Sequence, residues 1–384
     1  MEKIEGVLFS DNKKVLIEIE NGIISKIERS ENSLTNGNVE YVAPAFIDNQ
    51  VNGYIGIEFS DENLSVDDMV KIVRMHKENG VTTFLPTIIT SSYKSLVSSF
   101  KNLVATLKNK EVAYAVPGFH LEGPYISPVA GYRGAHRLKD IRKPDWDEFQ
   151  KINEVAEGKI IQITVAPEVE GAIEFIKKCV QNNIIVSLGH HNGNSEDIKR
   201  AVDAGAKTVT HLGNGLANNI NRFNNPLWMQ LAEDRLMCSM IMDGFHIKPE
   251  MAKVFYRTKG SRRIILTSDM TMLAGMPPGH YTWDGNKVVL TEEGIIIFPK
   301  ENVFAGASLP LITGVKNIMK FTGCTLKEAI DMVTINPARL YGFTDRGEIA
   351  VGKRADIVVF DMKNNKINIK KTIMGFSEKE VFIK

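Results

Sequence analysis

Eight short apolar runs rich in β-branched residues recur along the middle of this chain. They are "VAPAFIDNQ", "TTFLPTII", "VAYAVPGFHLEG", "IIQITVAPE", "IIVSLGHH", "TVTHLGN", "MCSMIMDGFH" and "RIILTSD". Most of the gaps hold amphipathic stretches such as "VDDMVKIVRMHKENG", "EGAIEFIKKCVQNN", "SEDIKRAVDAGA" and "PEMAKVFYRTKG". Apolar residues in these stretches recur near helical spacing, and several end in Gly or Asn, as helix C-caps do. Strand–helix units in series cannot pair their strands as hairpins; they imply parallel strands buried on both faces. Eight is the number of strands that closes a β/α barrel. A doubly wound open sheet is the runner-up. Its commonest signals, a G-x-G-x-x-G after the first strand or a P-loop, are missing.

The two ends read differently from the middle. "IEGVLF", "KVLIEIE" and "GIISKIE" form short strand patterns near the N-terminus. "RGEIAVGKRADIVVFD", "KINIKKTIMG" and "EVFIK" do so near the C-terminus. The expected fold class is therefore α/β. A (β/α)8 TIM-type barrel would occupy residues 44–343, with a small β-sandwich domain built jointly by residues 1–43 and 344–384. The stretch "HYTWDGNKVVLTEEGIIIF" reads as a hairpin hanging off the last barrel strand.

Bulk properties narrow the function. At 384 residues and 43% hydrophobic content, the chain has ample material for a core. A formal net charge of +1 gives no global field for nucleic acid or an anionic membrane, so any anion must be recognised locally. No apolar run approaches the roughly 20 residues needed to cross a bilayer. The opening "MEKIEGVLFSDNKK" lacks the apolar core of a secretion signal. Cys179, Cys238 and Cys324 are odd in number and far apart, which suits neither a disulfide framework nor a zinc knuckle. A cytoplasmic protein is expected.

Chemistry concentrates where the strands end. The first carries Asp48, Gln50 and Asn52; the third His120 and Glu122; the fifth His190 and His191. The sixth carries His211 and Asn214, the seventh Asp243 and His246, the eighth Asp269. In a β/α barrel these tips converge on one face. A lone buried His is more often a satisfied core residue than a ligand, but so many coincident placements reverse that preference. One Glu and two His form a plausible set for a divalent metal with a position left open for water. Glu122, His190 and His211 are the expected ligands. Neighbouring strand side chains point to opposite faces, so only one of His190 and His191 can face the barrel mouth. His190, directly after Gly189, is the expected one.

The ordered set "PAFIDNQVNG", "HLEGPYISP", "RGAH", "SLGHHNGN", "THLGNG", "MDGFHI", "LTSD", "FAGASLPL" and "INPARLYG…GEIAVGKRADIVVF" spans nearly the whole chain. It resembles the N-acetylglucosamine-6-phosphate deacetylases of the amidohydrolase superfamily. The resemblance implies a (β/α)8 barrel with a small sandwich from both ends. It also implies hydrolysis of the acetamido group of N-acetylglucosamine 6-phosphate, with Glu122, His190 and His211 as metal ligands and Asp269 as acid/base. His136 of "RGAH" then contacts the substrate near the acetyl group. Asn214, Gly215, Arg222 and His246 hold the sugar phosphate, and Arg222 reaches across a homodimer interface. Where many superfamily members have His-x-His, this chain has Gln50 and Asn52. Amides are poor zinc ligands, so one divalent ion per subunit is expected, Zn2+ or else Fe2+ or Co2+. Gln50 and Asn52 then belong with the substrate-binding residues. "LGNGLANN" and the lengthened "GPYISPVAGYRGAH" depart from the family pattern. Two rivals are therefore kept: a deacetylase of another N-acyl sugar, galactosamine-type or unphosphorylated, and a non-catalytic sugar-phosphate-binding protein.

Overall fold

The computed structural model of the protein describes residues 2–33, 39–283, 285–299, 303–363 and 366–376. Its centre is the eight-stranded parallel barrel. The strands are β1 (Phe46–Val51), β2 (Val81–Ile89), β3 (Phe119–Glu122), β4 (Ile160–Val165), β5 (Ile185–Leu188), β6 (Thr208–Val209), β7 (Met237–Ile241) and β8 (Ile264–Thr267). They are hydrogen-bonded in chain order. The seam between β8 and β1 is closed by the Asp269 amide, which donates to the Gln50 carbonyl at 3.0 Å. Beside it, the Thr267 hydroxyl and the Ser268 amide donate to Asp48 Oδ1 at 3.0 and 3.1 Å. Asp48 thus ties the barrel together from inside, and burial pushes its carboxyl up to about 6.

The helices lie where the amphipathic pattern placed them, at Val66–Glu78, Ala172–Gln181, Ser195–Asp203 and Pro249–Lys259. The first shows the local logic. Ser65 and Asp68 form a capping box, Asn79 is the C-cap, and Met69, Ile72, Val73 and His76 make one buried face. One apolar run is corrected. "VAYA" is the end of a short helix, Lys110–Ala115, and β3 starts only at Phe119. The Asn109 side chain caps that helix by accepting from the amides of Glu111 and Val112. Pro117 then disfavours helix at Val116, so the chain turns extended there.

Both ends of the chain build a second sheet together. Its strand order is Lys366–Ile373, Ile357–Lys363, Glu40–Pro44, Glu2–Leu8, Lys13–Glu20, Ile23–Ser33, joined in one continuous hydrogen-bonded sheet. Ile4, Val15, Ile17, Val42 and Ile357 belong to its own apolar cluster. The "EVFIK" stretch lies outside the described residues. The expected hairpin is larger than foreseen. Gly279–Trp283, Asn286–Leu290, Ile295–Phe298 and Val303–Ala307 form a four-stranded antiparallel sheet. Its last strand returns to the barrel, where the Ala307 amide donates to the Asp269 carbonyl at 3.1 Å. Among the described residues no helix is long and apolar enough to cross a membrane, and all three cysteines are free and buried.

His76 gives the fold a pH dependence. Its ring stacks on Phe84 at 4.4 Å between centroids, and burial pushes its pKa from 6.5 down to about 3. The unfolded chain takes up this proton below its ordinary pKa, while the folded chain resists it. The contribution is therefore complete above about pH 6.5 and is lost as pH falls toward 3, at up to ~1.4 kcal/mol per pH unit. His76→Phe should lose less stability on acidification than the wild type by about that slope. Denaturant unfolding at several pH values between 7 and 4 checks it, and a pH-independent difference would refute it.

Candidate active site

The tips of β3, β5 and β6 bring three electron-pair donors together. Glu122 Oε1 lies 2.9 Å from His211 Nε2 and 3.3 Å from His190 Nε2. The two Nε2 atoms lie 3.1 Å apart. Tetrahedral coordination with bonds of roughly 2.0–2.1 Å sets its donors roughly 3.3 Å apart, so the triangle has the size of one face of such a site. Its chemistry agrees. His190 Nδ1 donates to the Tyr132 carbonyl at 3.1 Å, which leaves the Nε2 lone pair facing the carboxylate. A lone pair and a carboxylate crowded in a buried site call for a cation between them. Glu122, His136 and His190 form a looser group whose ligand atoms lie within 4.8 Å of one another. The tighter set with His211 fits a single ion better.

The backbone at these tips is unusual. His190, His211 and Asp269 have φ of 50°, 31° and 51°. The left-handed region is uncommon for non-glycine residues and costs on the order of 1–3 kcal/mol each. At all three positions the chain turns out of a barrel strand, and the strained turn aims the side chain into the mouth. His191, one residue on, points elsewhere, as expected. Its Nε2 meets the Gln230 side-chain amide at 2.6 Å, and its Nδ1 accepts from the Gly193 amide at 3.1 Å.

Charges around the triangle are strongly coupled. Burial works to raise the Glu122 carboxyl, but the imidazoles packed against it outweigh burial and hold the group well below the usual carboxylate range. Burial also works to lower His211, but the Glu122 contact and the charge of Asp269 carry it above its ordinary value. For Asp269, burial and then the charge of Glu122 push the carboxyl up to about 7, partly offset by His211, His246 and Asn52. Asn52 Nδ2 donates to Asp269 Oδ1 at 2.8 Å. His136 sits edge-on to His190, 4.3 Å between ring centroids, and burial pushes it down to about 3.

These groups face one cavity of about 410 Å³. Asn52, Glu122, His136, His190, His211, Asn214, Gly215, His246 and Asp269 all line it. Two expected residues do not. Gln50 is 1% exposed, and its side chain lies off the cavity with Nε2 lacking a partner. Its backbone serves the barrel seam instead. Arg222 is exposed on the loop after β6, its guanidinium over the Phe223 ring at 4.3 Å. His120 is a satisfied core histidine, with Nε2 2.8 Å from the Thr164 hydroxyl. Glu58, Thr271, Trp283 and Phe304 also line the cavity and were not foreseen. Trp283 Nε1 donates to Glu58 Oε1 at 3.3 Å, joining the four-stranded sheet to the loop after β1. Phe304 covers His246 at 5.0 Å between centroids. An aromatic residue in a β-pattern segment gives no hint that the segment folds over a distant site.

Known proteins share this architecture. The amidohydrolase family model matches residues 41–384. An N-acetylgalactosamine-6-phosphate deacetylase of Escherichia coli O157:H7 is 31% identical over 347 residues, 90% of this chain and 90% of its own length. An N-acetylglucosamine-6-phosphate deacetylase of Bacillus subtilis (strain 168) is 31% identical over 320 residues, 82% of this chain and 79% of its own length. The crystal structure of N-acetylglucosamine-6-phosphate deacetylase from Thermotoga maritima superposes with a TM-score of 0.85 at 30% identity. That match covers 97% of this chain and 98% of the other.

The triangle separates two adjacent histidines by role. His211→Ala should lower bound divalent metal far below that of the wild type. His191→Ala should leave it unchanged, because that side chain faces Gln230. Elemental analysis after removal of loosely held ions reads both. Metal retained by His211→Ala would overturn the ligand set.

Proposed function

This chain belongs to the amidohydrolase family, and from that premise we propose that it hydrolyses N-acetylglucosamine 6-phosphate to glucosamine 6-phosphate and acetate. The observation that carries the reading is the buried Glu122–His190–His211 triangle with the Asp269 carboxyl on the same cavity. Sequence relatives of the same name support the substrate class. A second reading, the galactosamine epimer, is favoured by the Escherichia coli relative matched over 90% of this chain. The donor set suits one Zn2+ per chain, with Fe2+ or Co2+ as substitutes. Gln50 and Asn52, where many superfamily members carry His-x-His, support a single ion, because neutral amides are poor zinc ligands.

A divalent ion held by Glu122, His190 and His211 supplies Lewis acidity, which polarises the amide carbonyl and acidifies water. The protein's own groups do the rest. Asn52 fixes Asp269 Oδ1 and leaves Oδ2 free to take a proton from the attacking water. With its pKa near 7, Asp269 can accept that proton and hand it to the amine nitrogen as the C–N bond breaks. Oxygen from water joins the acetyl carbon, and acetate and the amine leave. His136, held neutral by burial, donates a hydrogen bond to the carbonyl oxygen as charge develops there. Trp283 and Phe304 add apolar surface to the wall of the same cavity.

At the far end of the substrate, His246 is oriented by Asp243, with Nδ1 2.6 Å from Oδ2. It joins Asn214 and Gly215 in holding the sugar phosphate. Arg222 faces away from its own cavity, which supports a homodimer in which it reaches the partner's site. A cytoplasmic location follows from a phosphorylated substrate.

Acetate release from N-acetylated glucosamine and galactosamine, each with and without the 6-phosphate, tests the reaction and the epimer. No release from either phosphorylated sugar would end the reading. Asp269→Asn should keep its metal and lose about 10²- to 10⁴-fold in kcat with little change in binding. Arg222→Ala should raise KM for the phosphorylated sugar by the equivalent of roughly 2–5 kcal/mol and spare the unphosphorylated one.

A further inference from the structure

We propose that Arg133 binds the substrate's phosphate from within the same chain, on the loop that also delivers His136. The inference rests on the sugar-phosphate reading above and adds a cation of the same chain to the Arg222 that this reading draws from the partner. No lysine or arginine among the described residues lines the main cavity, whereas Glu58, Glu122 and Asp269 do. A dianionic ligand entering there meets carboxylates and no guanidinium of its own chain.

The cation lies next door. A second cavity of about 380 Å³ abuts the first, and Gly131, Gly134, Ala135, His136, Leu216 and Asn218 line both. Arg133 and Arg137 line only the second. Arg137 is committed, with Nε 3.1 Å from Asp140 Oδ2. Arg133 has no ion-pair partner among the described residues, and its Nε is buried with no hydrogen-bond acceptor. Asn214 Nδ2, on the main cavity, is buried and unpartnered in the same way. Buried donors without acceptors are rare in native proteins and point to a missing ligand. A guanidinium fork with free N–H groups matches a phosphate.

The loop is built to hold that arginine in place. The Arg133 amide donates to the Val129 carbonyl at 3.1 Å, and the His136 amide donates to the Arg133 carbonyl at 3.2 Å. The preceding carbonyl, that of Tyr132, accepts from His190 Nδ1. Gly131 and Gly134 flank the position with φ of 88° and 56°. A Cβ on Gly134 would meet the His190 ring at 2.9 Å, and one on Gly131 would meet Ala217 Cα at 2.7 Å. The loop therefore packs directly on the candidate metal ligand and on the segment after His211. One short stretch then carries His136 on the main cavity and Arg133 on the cavity that abuts it.

The test compares Arg133→Lys with Arg133→Gln, which are similar in size and differ in charge. Metal content serves as the control for an intact site. KM and kcat are measured on N-acetylglucosamine with and without the 6-phosphate, and inorganic phosphate is titrated as an inhibitor. Arg133→Gln should raise KM for the phosphorylated sugar at least about 10-fold, with kcat and the unphosphorylated sugar little changed. The inhibition constant for inorganic phosphate should rise in parallel, and Arg133→Lys should recover most of both losses. Equal effects of Lys and Gln, or equal effects on both sugars, would overturn the proposal. If the wild type releases acetate from no sugar phosphate, the substrate reading fails. Direct titration of inorganic phosphate against the wild type and Arg133→Gln then decides Arg133 alone, and equal affinities would refute it.

Discussion

Glu122, His190 and His211 place a carboxylate oxygen and two imidazole nitrogens within 3.3 Å of one another, out of water. Without a cation, such a cluster is costly, because burial strips solvent from groups that repel or compete for one proton. Three strands must end at the right height for it to form, and at His190 and His211 the backbone must enter the left-handed region. The barrel supplies the rigidity that keeps such turns in place. Its seam at Asp48 and Gln50 fixes β8 against β1, and that in turn sets Asp269 beside Asn52 and over the triangle.

Burial then does opposite things to neighbouring groups, and the proposed mechanism uses this difference. It raises Asp269 and lowers His136, so at neutral pH one group can take up a proton while the other stays a neutral hydrogen-bond donor. The same physics acts on His76 in the barrel wall, where no reaction follows and only stability depends on pH. The distinction lies in access. Asp269 and His136 face a cavity, whereas His76 faces Phe84.

The mouth is finished by segments from elsewhere in the chain. The sheet after β8 brings in Trp283 and Phe304, and its last strand bonds to the backbone of Asp269 itself. From the other side, the loop 131–136 leans its glycines on His190 and Ala217. Sheet, loop and candidate metal ligands are thus packed against one another.

Sequence alone determined the fold class, through the alternation of apolar runs and amphipathic helices that only a parallel sheet satisfies. It also gathered Glu122, His190, His211 and Asp269 among the polar residues at the strand tips, together with His120, which the structure places in the core. Side-chain alternation allowed only one of His190 and His191 to face the mouth, and the place of His190 after Gly189 was the reason for expecting that one. The tertiary structure decided what period and spacing do not encode. Gln50 is buried off the cavity that Asn52, two residues on, does line. "VAYA" became helix because the Asn109 cap and Pro117 outweighed its apolar character. Trp283 and Phe304 reached the cavity through long-range packing of the four-stranded sheet, and their neighbours are set by the whole fold rather than by adjacent sequence.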